Sequence, residues 1–119
     1  MFEGLLLKES LRDVSVLARL HVIKTETWQV ANAAPGQPPV WTAIFFEESA
    51  EDADAIAAAL SRALNAEGWY VNGHTTTHAY VIFAGKVFKY PRGDTAQRTV
   101  VREYGLLAGT PESQLDWQD

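Results

Sequence analysis

The chain has 119 residues, of which 47% are hydrophobic and 21% are charged, and its formal net charge is −5. This is the length of one ordinary domain and the balance of a folded, soluble protein, which excludes disordered and fibrous classes. The sequence contains no cysteine, which excludes disulfides, thiolate zinc sites and cysteine nucleophiles.

The N-terminal sequence MFEGLLLKES does not resemble a signal peptide, because its apolar run is three leucines long and Glu3 comes early. No run of the sequence approaches the roughly 18 apolar residues that a membrane span needs. We therefore expect a cytoplasmic protein without membrane contact. The acidic net charge disfavours nucleic acid as a partner.

The first half of the chain contains three predicted strands, at residues 2–8, 20–30 and 39–47. Between the first two, residues 10–20 predict about one helical turn. The prolines of ANAAPGQPP, residues 31–39, remove backbone donors and predict a long hairpin loop. The strand at 39–47 is apolar on both alternating faces, which is typical of a strand covered on both sides.

One long helix is predicted over residues 49–68. Ser49 is placed to cap its N-terminus, with Asp52 three residues later, and Gly68 is placed to end it. Ile56, Leu60 and Leu64 form an apolar stripe at helical spacing. The carboxylates of its first turn explain the acidic cluster around Asp52, because the helix dipole favours them there.

Three more strands are predicted at 69–75, 77–84 and 86–92, with Ala84 and Gly85 as a two-residue loop between the last two. A second helix is predicted from the capping residue Asp94 to Gly105. Thr110 and Pro111 then begin one more turn, which makes Leu115 and Trp117 candidate anchors of the tail.

The order of these elements predicts one α+β domain spanning residues 1–119. We expect a two-layer sandwich, with a mostly antiparallel sheet of about five or six strands and two main helices on one face. Short turns between most of the strands favour antiparallel pairing.

Two histidines in NGHTTTH, His74 and His78, are candidate metal ligands. On one uninterrupted strand they would lie about 13 Å apart, too far to share a metal. If Thr75, Thr76 and Thr77 form a hairpin loop, the two histidines become cross-strand neighbours about 5 Å apart and could chelate. A third ligand is missing locally, and the alternative is a pair of exposed hairpin-tip histidines.

A second candidate site is the basic and aromatic segment KVFKYPR. Alternation places Lys86, Phe88, Tyr90 and Arg92 on one side of a strand, and basic residues interleaved with aromatics are typical of platforms that bind single-stranded nucleic acid. The alternative is that the aromatics belong to the core and the lysines protect a sheet edge. The ligand or partner surface predicted from this region comprises Lys86, Lys89, Tyr90, Arg92, Arg98 and Trp117.

The sequence lacks the common enzyme motifs, including phosphate-binding loops and the serine nucleophile elbow. A histidine and a distant carboxylate could still meet in space as an acid–base pair. Of the four tryptophans, three fall in predicted strands, which favours the core. Trp117 lies in the tail and docks either on its own body or on another copy.

The segments NGHTTTHAYVIFAGKVFKYPRGD and YGLLAGTPESQLDW, with the opening MFEGLLLKESLRD, resemble a group of small prokaryotic proteins without an assigned function. A tryptophan–tyrosine strand, a KVF hairpin and a closing segment of the form YG…G.PE.QLDW are shared with them. The resemblance spans most of the chain and implies one intact α+β domain. It implies no activity.

These observations favour a non-catalytic protein-interaction or self-associating module, with a homodimer or a protein as partner and no cofactor. The alternative is a small ligand-, metal- or nucleotide-binding protein, or an enzyme, that uses His74, His78 and the basic residues between 86 and 102.

Overall fold

The computed structural model of the chain describes residues 1–31, 33 and 35–117. Asn32 and Ala34, which belong to the predicted hairpin loop, and Gln118 and Asp119 of the tail lie outside the described residues.

A six-stranded antiparallel sheet forms the centre of the fold, as the sequence predicts. The strand order across it is β2-β3-β1-β4-β5-β6, so that β2 and β6 are the two edges. The strands are β1 (Phe2–Leu7), β2 (Val22–Gln29), β3 (Val40–Glu48), β4 (Val71–His74), β5 (His78–Phe83) and β6 (Lys86–Pro91).

Two α-helices accompany the sheet, α1 (Ala53–Ala63) and α2 (Thr95–Leu107). The Asp94 carboxylate caps α2 as predicted, accepting from the backbone N–H of Gln97 at 3.1 Å. None of the helices within the described residues is long and apolar enough to cross a membrane. The remaining helical segments are short 3₁₀ turns at Lys8–Ser10, Val14–Arg19, Ala50–Asp52 and Glu112–Gln114.

Helix α1 is shorter at both ends than its sequence predicts. Residues 50–52 form a 3₁₀ turn before it, and the Ser49 side chain makes no capping hydrogen bond. At the other end, Leu64 is extended and forms an isolated antiparallel bridge with Leu11, so the helix stops well before Gly68. Pairing with the segment after β1 satisfies backbone groups that a longer helix would have bonded internally.

The main hydrophobic core lies between α1 and one face of the sheet. Phe2 and Leu6 of β1, Phe46 of β3 and Ile82 of β5 all point to this face and are at most 1% exposed. Leu60 of α1 packs among them and is fully buried. Burial of these side chains is the dominant favourable contribution to folding.

A pair of neighbouring glycines makes room for the aromatic rings of this core. Gly4 of β1 lies directly opposite Gly73 of β4. A Cβ on Gly4 would come within 2.2 Å of the Phe46 ring, and one on Gly73 within 2.8 Å of the Glu3 carbonyl oxygen. These two positions therefore need glycine for packing rather than for backbone conformation.

Helix α2 packs on the opposite face of the sheet. Val81 and Phe83 of β5 alternate with Tyr80 and Ile82 and belong to a second apolar cluster, with Val101 of α2 and the tail residues Leu115 and Trp117. The α+β class, the antiparallel sheet and the two sheet-packed helices are confirmed, but the helices do not share a face. Because both faces of β5 are apolar, each of them requires its own cover.

Candidate functional site

An open cleft lies on the α2 side of the sheet, where the helix does not cover it. The second apolar cluster draws on β5, β6, α2 and the tail, which leaves the β1–β3 side of this face to the cleft. The volume of the cleft is about 810 Å³. Its floor is a row of paired residues across adjacent strands, in which Leu5 lies between Phe45 and Asn72. All three are half-buried.

Three indoles line one side of the cleft. Trp28 and Trp41 are direct cross-strand partners on β2 and β3, and Trp69 lies just before β4. The ring centroids of Trp41 and Trp69 are 5.3 Å apart in an edge-to-face arrangement. Trp28 packs in the same way on Phe45, at 6.5 Å.

The N–H groups of two of these indoles are already bonded. Trp41 Nε1 donates to the Pro38 carbonyl at 2.8 Å, and Trp28 Nε1 donates to Glu26 Oε1 at 3.1 Å. The Glu26 carboxylate has its pKa lowered, first by its bond to Lys24 and then by the Trp28 indole. Because these two N–H groups already donate to protein acceptors, the Trp28 and Trp41 rings contribute mainly apolar and π surface to the cleft.

The opposite end of the cleft is polar and carries carboxylates. His74 of β4 pairs in register with Glu3 of β1, and His74 Nε2 lies 3.2 Å from Glu3 Oε2. Glu47 of β3 is the next residue across the sheet from Glu3. Asp116 contributes a further carboxylate from the tail, and the lining residues that the structure describes include neither lysine nor arginine.

The tail forms a wall of the cleft because Trp117 docks on its own body. Its side chain is 4% exposed, and Nε1 donates to the Tyr90 hydroxyl at 2.8 Å. The Arg98 guanidinium lies 4.6 Å from the Trp117 ring centroid and donates to the Trp117 carbonyl at 2.5 Å. Arg102 donates to the Leu115 carbonyl at 3.0 Å.

Tyr70 connects the tail to the segment that precedes β4. Its hydroxyl donates to the Gln114 carbonyl, and its ring packs edge-on against Trp117 at 5.6 Å. Burial raises the pKa of the Tyr70 phenol well above its usual value, and the Asp116 carboxylate raises it further. The phenol therefore stays protonated and keeps its donor role.

The structure separates the two histidines of NGHTTTH. His74 pairs with Ala79, not with His78, and the Thr75 backbone N–H donates to the His78 carbonyl at 2.9 Å. The hairpin loop is therefore one residue shorter than the three-threonine loop considered from sequence, which moves His78 to the α1 side of the sheet. The chelating pair that the metal hypothesis requires is not formed. Within residues 1–31, 33 and 35–117, no group of three or more His, Asp or Glu suits a metal ion.

The basic segment on β6 does not form a stacking platform. Phe88 packs edge-on against Phe83 and Tyr104, and Tyr90 is 2% exposed under the tail. The Arg92 side chain donates to the Thr75 carbonyl at 3.2 Å. With Arg98 and Arg102 bound to the tail, the predicted surface is mostly occupied by contacts of the fold itself, while Lys86 stays exposed at the edge with its Nζ 5.2 Å from the Phe88 ring centroid.

Lys89 faces the α1 side of the sheet and takes part in a contact that joins α1 to β5. Its Nζ lies 3.3 Å from Asp54 Oδ1, which also accepts from the Tyr80 hydroxyl at 2.7 Å. The Tyr80 hydroxyl, followed by Lys89, holds the pKa of the Asp54 carboxyl below its usual value. These groups fasten the start of α1 to the sheet.

Apart from His74 and Trp117, the cleft residues escaped sequence reasoning because nothing in their local pattern distinguishes them from core. Trp28 and Trp69 are half-buried, although strand position favours a core role for them. Comparisons of the chain with protein-family models, with curated proteins and with solved structures gave no match. The resemblance to the prokaryotic group stays a prediction.

Proposed function

We propose that the protein is a non-catalytic binding domain whose cleft holds a small organic ligand with an apolar body and a positively charged group. The observation that carries this proposal is the lining of the cleft, which combines half-buried aromatic rings with the Glu3 and Asp116 carboxylates and, among the described residues, includes neither lysine nor arginine. The alternative function expected from the sequence was binding of a small ligand at His74, His78 and the basic residues between 86 and 102. We assign the ligand instead to the cleft, whose lining includes His74 but not His78 or those basic residues.

The size and the lining of the cleft favour a ligand with an apolar body. Ligand sites are concave, mostly apolar, and have volumes of roughly 300–1,000 Å³, with a few polar groups that fix orientation. A cleft of about 810 Å³ falls in this range. Leu5, Phe45 and Trp28 keep part of their apolar surface in contact with solvent there, and a bound ligand would remove it from water.

The charge preference follows from the ionisable groups at the cleft. The lining carries the Glu3 and Asp116 carboxylates, and indole faces attract cations through their quadrupole. The Lys24 ammonium lies 4.9 Å from the Phe45 ring centroid at the edge of the cleft, but it is paired with the Glu26 carboxylate at 2.9 Å. An amine or guanidinium group is therefore favoured over a carboxylate or phosphate. This preference disfavours nucleotides, which the sequence left open as ligands, because their phosphates are anionic.

Self-association and binding of a protein partner are the functions that the sequence favours, and they stay predictions beside this proposal. Their surfaces were expected on β6 and around Trp117, which the fold uses for its own packing. The cytoplasmic location also stays a prediction.

The test is a titration of the purified protein with three compounds of similar shape, namely benzylamine, benzyl alcohol and benzoate. Tryptophan fluorescence reports on the indoles of the cleft, and the unfolding temperature reports occupancy independently, because a ligand that binds the folded state stabilises it. We expect benzylamine to give the largest change in both signals and benzoate the smallest.

Three variants test whether the response to benzylamine comes from the cleft. Trp28→Ala and Glu3→Gln should weaken benzylamine binding, whereas Glu103→Gln, which removes an exposed carboxylate on α2 outside the cleft, should not. Benzoate binding as tightly as benzylamine would contradict the charge argument. Absence of any response to all three compounds would overturn the cleft as a ligand site.

A further inference from the structure

The edge strand β2 is exposed along its length. It pairs with β3 on one side, and the strand order places no other described strand beside it. Six of its eight residues are exposed and the other two are half-buried. An uncovered edge presents unpaired backbone N–H and C=O groups to any strand that approaches.

The opposite edge of the sheet differs from β2. On β6, the sequence KVFKYP contains two lysines and ends in a proline, devices that typically protect an edge. On β2, the bulge between Val22 and Lys24 disturbs only the beginning of the strand. From Lys24 to Gln29 the ladder with β3 is regular, so the charged residues Lys24 and Glu26 lie on the regular part of the edge.

The charges of β2 are complementary to those of a second, antiparallel copy of β2. Lys24 and Glu26 lie on the same face of the strand, and their side chains already form an ion pair with Nζ 2.9 Å from Oε2. If two copies pair around a two-fold axis at Thr25, Lys24 of each copy lies opposite Glu26 of the other. Opposite charges in direct cross-strand pairs stabilise a ladder, and like charges destabilise it.

The neighbouring registers lack this complementarity. A two-fold axis at Glu26 would place the Glu26 carboxylates of the two copies opposite each other. An axis at Lys24 would place the two Lys24 ammonium groups opposite each other. The sequence of the edge therefore selects one register among the alternatives.

We propose that two copies of the chain associate through antiparallel β2–β2 pairing centred on Thr25. The partner is a second copy because the same short segment supplies both the charge and its complement, as a two-fold interface requires. In this register, each residue lies opposite a residue on the same face of the other copy's strand. The two clefts therefore open on the same side of a continuous twelve-stranded sheet. The inference does not depend on which ligand the cleft binds.

Sedimentation velocity over a wide range of protein concentration tests the proposal with charge-reversed variants. Wild type should show a concentration-dependent dimer. Lys24→Glu and Glu26→Lys should each weaken self-association by about tenfold or more, because each places two like-charged pairs across the interface. An equimolar mixture of the two variants should form a heterodimer, since all-acidic and all-basic edges are then opposed.

The mixture also controls for folding, because both variants must be folded to pair with each other. The double variant K24E/E26K should dimerise like wild type. Lys86→Glu makes the same change of net charge on the other edge strand and should leave the dimer unchanged. A wild type that is monomeric at every concentration, a dimer insensitive to Lys24→Glu, or a mixture without heterodimer would each overturn the proposal.

Discussion

The two faces of the sheet are built from adjacent residues of the same strands but differ in how deeply their side chains are buried. On the α1 side, Phe2, Leu6 and Phe46 are at most 1% exposed. On the other side their neighbours Leu5 and Phe45 are half-buried and line the cleft. The side chains at the centre of both faces are apolar, so the difference comes from the cover. Helix α1, with Leu11 and Val16, covers them on one face, whereas α2 with the tail covers only part of the other.

The largest effect that this comparison predicts is at two adjacent leucines of β1. Leu6→Ala removes a buried side chain from the closed face and should lower the free energy of unfolding by about 2–5 kcal/mol. Leu5→Ala removes a half-buried side chain from the open face and should cost about 1 kcal/mol. Urea denaturation of both variants measures the difference, and equal losses would contradict the assignment of an open and a closed face.

A smaller effect is expected from filling the space beside the Phe46 ring. Gly4→Ala should lower the free energy of unfolding by about 1–3 kcal/mol, because the added methyl group overpacks the closed face. Phe46→Leu removes the obstructing ring, so the double variant G4A/F46L should lose less than the sum of the two single losses. Simple additivity in the same denaturation experiment would show that the ring is not the obstacle.

The two histidines should contribute little to stability. His74 makes a partly exposed contact with Glu3, and His78 Nδ1 lies 2.8 Å from the Thr77 hydroxyl at the hairpin tip. The combined change His74→Ala and His78→Ala should therefore alter the free energy of unfolding by about 1 kcal/mol or less. Thermal unfolding with and without zinc checks this, and a zinc-dependent rise in melting temperature that this change removes would revive the metal hypothesis.

The smallest predicted effect concerns the contact that fastens α1 to the sheet. The lowered pKa of Asp54 means that its contribution to stability is complete above the ordinary value of 3.8 and is lost as the pH falls through the lower folded-state pKa. Tyr80→Phe removes the largest cause, so the Asp54 pKa should rise. Lys89→Ala should have a smaller effect. An NMR titration of the carboxyl carbon measures both, and an unchanged pKa in Tyr80→Phe would contradict the geometry.

Much of the architecture follows from local sequence signals. The order of strands and helices, the Asp94 cap and the Ala84–Gly85 turn rest on interactions between residues a few positions apart. Such interactions are visible as spacing and residue type. The tail anchors Leu115 and Trp117 were also predictable as apolar residues in an otherwise polar segment, although their docking site was not.

Tertiary structure decided the rest, because it depends on contacts between distant parts of the chain. The shorter hairpin loop in NGHTTTH sends His78 to the other face, since strand side chains alternate with a period of two. The early end of α1 depends on the bridge between Leu11 and Leu64. The cleft exists because α2 and the tail cover only part of one face, and strand residues carry no local sign of what will cover them.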